Sequence, residues 1–199
     1  MKVSIGRDNR WCPQSLYLFG TFKEDGTPDF GLFCWFSYAW TDGLAAIACI
    51  GSNKMTLDRI RATKVFSANL VTEATLPLAD YFGSVDGNDP DKMSIPVNWE
   101  KGQTLTVPIL TDCPVNFELE VRELIPLNDE GSTVIICDIR NTLVDPVLAD
   151  DSIPTTEQLQ RMNPVATAGS SEYWNWNGQR LADWHGLAKQ IRADAKIQQ

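Results

Sequence analysis

Short apolar runs follow one another along this chain, with turns rather than long helices between most of them. The first two, residues 15–22 and 30–37, flank Asp25-Gly26, which is a strong signal for a tight turn between antiparallel strands. Further strands are predicted over residues 44–50, 65–71, 103–110, 115–124 and 133–139. Because few segments between these runs are long enough for a crossover helix, the pattern favours an antiparallel barrel over alternating strands and helices.

Helical spacing occurs in only a few places. Residues 54–64 carry apolar positions at helical spacing, with Thr56 able to cap the first turn. Residues 75–82 form a second predicted helix, with Thr75 as its cap and Gly83 as its end.

The C-terminal part of the chain has a different pattern. It predicts a short polar helix over residues 155–162, an aromatic loop over 163–178 and an amphipathic helix over 179–197. The 199 residues therefore form one predicted domain, 1–199, with a helical appendage from about residue 155.

Charge and composition exclude several classes of partner. The chain has 17 Lys and Arg against 26 Asp and Glu, a net charge of −9, which argues against a nucleic-acid binder and against docking to an anionic membrane. No run approaches the ~20 apolar residues of a membrane-spanning helix. Arg7, Asp8 and Arg10 interrupt the N-terminal region, so no secretory signal is expected and the cytoplasm is the expected compartment. The five cysteines contain no CxxC pair and are expected to be free thiols.

Side-chain chemistry for catalysis is scarce in this sequence. His185 is the one histidine, so a metal site built from several histidines is excluded and no metal is expected. The sequence contains none of the motifs HExxH, GxSxG, GxGxxG or GxxxxGK[ST]. No catalytic acid or base can be named, and redox or group-transfer chemistry would depend on a bound organic cofactor.

Four motifs follow one another in a specific order. They are the hairpin ending at Trp35-Phe36-Ser37, the loop 50–56, Phe66-Ser67-Ala68-Asn69, and Asp80-Tyr81-Phe82-Gly83 followed by Asp86-Gly87 and Asp91-Lys92. In this order they resemble the flavin reductase-like family over roughly residues 12–190. The resemblance implies a mainly β, antiparallel split β-barrel with short helices and a C-terminal helix. It also implies an FMN cofactor and a homodimer with FMN near the subunit interface.

The loop before the first predicted helix is the candidate phosphate site. Ser52, Asn53, Lys54 and Thr56 lie where free N–H groups and the helix dipole favour an anion, and where the family grips the FMN phosphate. Lys54 is the one cation in this loop, whereas some family members carry an arginine there. The alternative is that Ser52 or Thr56 caps the helix and Lys54 is solvated.

The resemblance assigns contacts with the flavin ring to the second strand of the first hairpin and the turn after it, namely Trp35, Phe36, Ser37 and Tyr38. The alternative for these aromatic side chains is packing in the core or between subunits. Asn69 and Lys92 complete the candidate cofactor site, with a backbone contact for Asn69 and an ion pair between Asp91 and Lys92 as the alternatives.

Three functions remain open at this point. The first is an FMN-dependent oxidoreductase in which NADH or NADPH delivers a hydride to flavin N5. The second is a flavoredoxin-like electron carrier reduced by a partner protein, which the acidic surface would attract if that partner were basic. The third is a split-barrel binding protein without redox activity.

Overall fold

The computed structural model describes residues 2–129, 131–169, 172–175, 180–189 and 191. The helices are α1 (Met55–Thr63), α2 (Leu76–Ser84) and α3 (Thr155–Met162), and a short 3-10 turn covers Pro146–Leu148. The strands are β1 (Gln14–Ser15), β2 (Tyr17–Phe22), β3 (Pro28–Phe33), β4 (Phe36–Trp40), β5 (Leu44–Ile50), β6 (Val65–Leu70), β7 (Trp99–Lys101), β8 (Pro108–Leu110), β9 (Val115–Pro126), β10 (Thr133–Val144), β11 (Val165–Thr167), β12 (Glu172–Asn175) and β13 (Arg180–Asp183).

The main sheet has seven strands in the order β3-β2-β6-β9-β10-β5-β4, and all neighbours are antiparallel. Strands β3 and β4 follow each other in the chain, yet they form the two opposite edges of this sheet. The sheet must therefore curl. No pairing joins β3 to β4, both of which are fully described, so the barrel remains split. The predicted mainly β split-barrel fold is confirmed.

Aromatic side chains fill the inside of the curled sheet. Phe19 of β2 lies 4.7 Å from Phe33, 5.1 Å from Phe66 and 5.7 Å from Phe36 between ring centroids. Phe19 and Phe66 are completely buried, and burial of an aromatic ring contributes about 1.5–3 kcal/mol. A second core lies between β3, α2 and the C-terminal strands, where Phe30, Phe82 and Tyr173 pack together.

The predicted strand over residues 30–37 is wrong, because the chain changes partner within it. Pairing with β2 ends at Phe33, and the backbone N–H of Cys49 then donates to the carbonyl of Trp35 at 2.9 Å. This bond directs the chain to β5, so that β4 begins at Phe36.

The helices predicted over residues 54–64 and 75–82 are confirmed as α1 and α2, but their ends differ. Lys54, not Thr56, is the N-cap of α1, and no side-chain bond caps this helix. Helix α2 continues through Gly83 to Ser84.

The predicted strand 103–110 is confirmed only as β8. The backbone N–H groups of Gln103, Thr104 and Leu105 donate instead to the buried carboxylate of Glu118, and this anchors a loop. The sequence also missed β7, which pairs with β8.

The C-terminal region differs most from its prediction. The segment predicted as an aromatic loop contributes β11 and β12 to a four-stranded sheet in the order β1-β11-β12-β13. The predicted helix from residue 179 begins as β13, and only residues 188, 189 and 191 are helical in the described part. The buried carboxylate of Asp80 accepts bonds from the Tyr173 hydroxyl and the Ala188 N–H, and so ties this segment to α2. Trp176 and residues 179, 190 and 192–197 of the predicted helix lie outside the described residues, whereas the predicted helix over residues 155–162 is confirmed as α3.

Among the described residues, none of the helices has both the length and the apolar character that crossing a membrane requires.

Candidate functional site

A cleft lies where the N-terminus of α1 meets β3 and the loop after α2. It is lined by Gly31, Leu32, Phe33, Asn53, Lys54, Met55, Thr56, Phe82, Gly83, Val85, Asp86, Gly87 and Lys92. Its volume of about 60 Å³ holds a few water molecules or one group the size of a phosphate. A whole drug-sized ligand occupies pockets of about 300–1,000 Å³, so a larger molecule would extend out of this cleft.

The first turn of α1 supplies donors to the cleft. Asn53 adopts a φ of 58°, a left-handed conformation that asparagine tolerates, and this sharp turn leads from β5 into the helix. The carbonyl of Lys54 accepts from the N–H groups of Leu57 and Asp58 at 2.9 and 3.2 Å. The N–H groups of Met55 and Thr56 precede these first helical bonds and have no acceptor within the helix. Together with the helix dipole they favour an anion.

Two glycines allow the walls of the cleft to approach each other. A Cβ on Gly87 would lie 2.7 Å from Cβ of Met55, so only glycine lets this loop contact the first turn of α1. A Cβ on Gly31 would lie 3.0 Å from Oγ1 of Thr56, so the Thr56 hydroxyl rests directly above β3. Since Thr56 is itself buried, its hydroxyl is held at a fixed place on the cleft wall.

A buried ion pair borders the cleft. Nζ of Lys92 lies 2.9 Å from Oδ1 of Asp29, and the two side chains are 2% and 0% exposed. Nζ of Lys92 also lies 5.8 Å from the centre of the Phe82 ring. Burial raises the pKa of Asp29 and lowers the pKa of Lys92, and the attraction between the two charges opposes both shifts. Lys92 is thus paired with Asp29 rather than with Asp91.

The charges around the cleft are balanced. The pKa of Asp86 is lowered first by hydrogen bonds from Asn88, and then by the positive charges of Lys54 and Lys92. The lining residues Lys54 and Lys92 therefore face two carboxylates, Asp29 and Asp86. Attraction for an anion depends on the first turn of α1 and on Lys54, because Asp29 already neutralises Lys92.

The structure brings together four of the predicted site residues, namely Asn53, Lys54, Thr56 and Lys92. Ser52 lies in the turn just before them, outside the lining of the cleft. The sequence analysis missed the contributions of Leu32, Phe33 and Met55. The glycine at position 31 within a strand was the available signal that backbone or side chains approach closely there.

The predicted ring contacts lie on the link after β3 and on β4. Trp35 and Tyr38 are 56% and 59% exposed, and Ser37 is exposed beside them. Phe36 is buried in the aromatic core, where its ring lies 4.5 Å from that of Tyr17. Phe36 thus takes the alternative role of core packing, while the other three side chains remain accessible.

Asn69 is occupied within the fold. Its Nδ2 donates to the carbonyl of Leu18 at 2.8 Å, and its Oδ1 accepts from the N–H of Leu110 and from Nδ2 of Asn116. This buried network joins β2, β6, β8 and β9. Asn69 does not line the cleft, and we leave it out of the proposed site.

The family model of the flavin reductase like domain matches residues 9–155, which is most of the chain. The chain belongs to the flavin reductase-like family. No curated protein sequence gives a significant match to it. Membership of this family supports a flavin-binding oxidoreductase, and the donors at the start of α1 fit the phosphate end of a flavin nucleotide.

Solved structures share the fold of this flavin reductase-like protein. Flavoredoxin of Desulfovibrio vulgaris (Miyazaki F) is 24% identical, with a TM-score of 0.76 over 92% of this chain and 96% of that one. Flavoredoxin from Methanosarcina acetivorans is 19% identical, with a TM-score of 0.74 over 92% and 95%. Nitrilotriacetate monooxygenase component B from Bacillus cereus is 11% identical, with a TM-score of 0.76 over 92% and 98%. At these identities the likeness shows the fold.

The variant Lys92→Met is expected to lose about 3–5 kcal/mol of unfolding free energy, because it leaves the Asp29 carboxylate buried without its partner. The double variant Asp29→Leu/Lys92→Met is expected to recover most of this loss. Urea unfolding measures both, with Lys101→Met on the exposed strand β7 as the control. A double variant as unstable as the single one would contradict the interpretation.

The same variants have a defined pH dependence. Burial holds the folded-state pKa of Asp29 above its value in the unfolded chain. Stability from this carboxyl is therefore present at low pH and lost as the pH rises through the folded-state pKa. Without Lys92 that pKa rises further, so Lys92→Met is expected to regain stability on going from neutral to mildly acidic pH. A loss that stays constant over this range would refute the argument.

Proposed function

We propose that this protein binds FMN with the phosphate in the cleft at the start of α1, and that it transfers electrons through the flavin. The observation that carries the proposal is the meeting of free helix N–H groups, Lys54 and the Thr56 hydroxyl in a phosphate-sized cleft of a flavin reductase-like domain. When bound, FMN would accept a hydride from NADH or NADPH and pass the electrons to an acceptor.

The chain's own residues bind and orient in this proposal. Lys54 supplies a positive charge that forms no ion pair with any described residue. Asn53 supplies a side-chain amide and Thr56 a hydroxyl. Lys92, held by Asp29, adds a fixed charge at the border of the cleft. The exposed side chains of Trp35, Ser37 and Tyr38 would contact the flavin ring. No side chain is required to act as an acid or base.

A second copy of this chain is the proposed partner. Ile47 of β5 is the cross-strand partner of Ile136 of β10. Val134, also on β10, is the cross-strand partner of Ile125 of β9. Paired residues lie on the same face of a sheet, and Ile47 and Ile125 are each 37% exposed. A second copy placed on this face would cover these aliphatic side chains. We also propose a cytoplasmic location, since all five cysteines are free thiols.

Analytical ultracentrifugation is expected to give a dimer for the native chain. The variant Ile47→Lys places a charge on the proposed interface and is expected to shift the distribution towards monomer. Lys101→Glu changes the charge of an exposed residue on β7, outside the seven-stranded sheet, and serves as the control. A native protein that sediments as a monomer at all concentrations would exclude the second copy.

Titration with FMN is expected to show binding through a change in flavin fluorescence and absorbance. Lys54→Ala is expected to weaken binding by about 1–3 kcal/mol, the range for a lost hydrogen bond to a charged group. Asp86→Asn is expected to tighten binding, because it removes a negative charge from the cleft and can keep the bond with Asn88. Lys101→Ala, on β7, is expected to have no effect. No uptake of FMN by the native chain would refute the proposal.

Mixing the FMN-loaded protein with NADH and, separately, with NADPH tests the source of electrons. We expect rapid loss of the visible absorbance of the oxidised flavin as the hydride is transferred. Slow or absent bleaching with both nicotinamides, combined with reduction by a protein donor, would support the flavoredoxin-like carrier instead. The net charge of −9 favours this second candidate only with a basic donor.

A further inference from the structure

A second cavity of about 160 Å³ brings two cysteines together from separate parts of the chain. It is lined by Asn9, Cys12, Gln14, Cys34, Trp35, Thr167 and Gly169, and shares none of these residues with the cleft. Cys12 belongs to the segment before β1, and Cys34 to the link between β3 and β4. The remaining cysteines do not line this cavity.

Thr167, which lines the cavity, has a buried hydroxyl group without a hydrogen-bond partner among the described residues. Gln14 and Thr167 are direct cross-strand partners in the pair β1 and β11, so both side chains lie on one face of the sheet. Thr167 is only 2% exposed, and its Oγ1 has no hydrogen-bond partner among the described residues. Buried polar groups are nearly always hydrogen-bonded, so this hydroxyl indicates a polar group that enters the cavity.

The two thiols differ in their surroundings. Cys12 is exposed, on a segment of residues 2–13 that contains no helix or strand, and Nε2 of Gln14 donates to its sulfur at 2.9 Å. Cys34 is half-buried and its link is held by the bond from Cys49 N–H to the Trp35 carbonyl. Burial raises the pKa of Cys34, so this thiol keeps its proton up to a higher pH than an unburied cysteine does.

We propose that Cys12 and Cys34 form a thiol–disulfide exchange site for small disulfides that enter this cavity. This inference goes beyond flavin binding and does not depend on it. Cys12 is the attacking thiol because it is exposed and its sulfur accepts a hydrogen bond from the side-chain amide of Gln14. Cys34 is the resolving thiol because it is fixed beside the same cavity.

The reaction has two balanced steps. The Cys12 thiolate attacks one sulfur of a disulfide RSSR, the S–S bond breaks, and RS⁻ leaves and takes a proton from water. The Cys34 thiol then loses its proton to water and attacks the Cys12 sulfur of the mixed disulfide, releasing the second RS⁻, which also takes a proton from water. In total, two protein thiols are oxidised to the Cys12–Cys34 disulfide, and RSSR is reduced to two RSH. A disulfide requires the two Cα atoms to lie within about 7 Å, and segment 2–13 contains no helix or strand that would resist their approach.

The test exposes the folded, full-length chain to bis(2-hydroxyethyl) disulfide, whose hydroxyls can bond to Thr167. Remaining thiols are then blocked with N-ethylmaleimide, and mass spectrometry locates the modifications after cleavage with trypsin. Cleavage after Arg10, Lys23 and Lys54 separates Cys12 from Cys34 but leaves Cys34 with Cys49. All measurements therefore use the variant Cys49→Ser, in which Cys34 is the one cysteine of its peptide, and this variant is also the control for the further cysteine substitutions.

The expected product in this background is a disulfide between the peptide of Cys12 and that of Cys34, without a retained adduct. Cys34→Ser is expected to stop at one adduct on Cys12, and Cys12→Ser to leave Cys34 unmodified over the same time. Three results would each overturn the proposal: labelling of every cysteine by N-ethylmaleimide, which means that none reacted with the disulfide; a disulfide between another pair of cysteines; or adducts that form equally fast in urea. Because this readout needs no flavin, its failure is separate from a failure to bind FMN.

Discussion

The fold depends on one constraint of connectivity. Strands β3 and β4 are joined by Cys34 and Trp35 alone, yet they lie at opposite edges of the seven-stranded sheet. So short a link is possible only if the sheet curls until its two edges approach each other. The aromatic core stabilises this curvature, since Phe19 on β2 contacts Phe33 at one edge and Phe36 at the other. The cleft and the cavity of the two thiols both lie along the chain that makes this connection.

The electrostatics of the cleft follow from its burial. An ion pair such as Asp29–Lys92, with both side chains at 2% exposure or less, gains little net stability because both charges lose their hydration. Its effect is to keep an ammonium group in one place. Lys54 at the mouth of the cleft is exposed and can move to meet a ligand. The cleft thus contains one fixed cation, Lys92, which Asp29 neutralises, and one exposed cation, Lys54, which can adjust its position. The N–H groups at the start of α1 supply the rest of its attraction for an anion.

The sequence could predict what depends on local pattern. Alternating and continuous apolar runs identified the main strands, and spacing identified α1 and α2. It could not predict the break at Cys34-Trp35, because both halves of that run are equally apolar and only the pairing with β5 distinguishes them. The strands β11 to β13 were missed for a similar reason. Tyr173 of β12 is buried in the second core and bonds to Asp80, which lies 93 residues away in the sequence, so no local periodic face reveals its burial. Within the site, Lys54 and Thr56 were predictable from helix-start chemistry, whereas the pairing of Lys92 with Asp29 required the tertiary structure.

The two cavities are adjacent along one short segment. Gly31, Leu32 and Phe33 line the cleft, and the next two residues, Cys34 and Trp35, line the cavity of the two thiols. The bond from Cys49 N–H fixes the link at its second residue, so the segment is held at β2 on one side and at β5 on the other. A covalent bond at Cys34 and a ligand beside Phe33 would therefore act on the same stretch of backbone. Any coupling between them must be reciprocal, because a change that favours one bound state favours the other by the same free energy. The shortness of the link, which determines the curvature of the sheet, thus also places thiol chemistry next to the proposed flavin site.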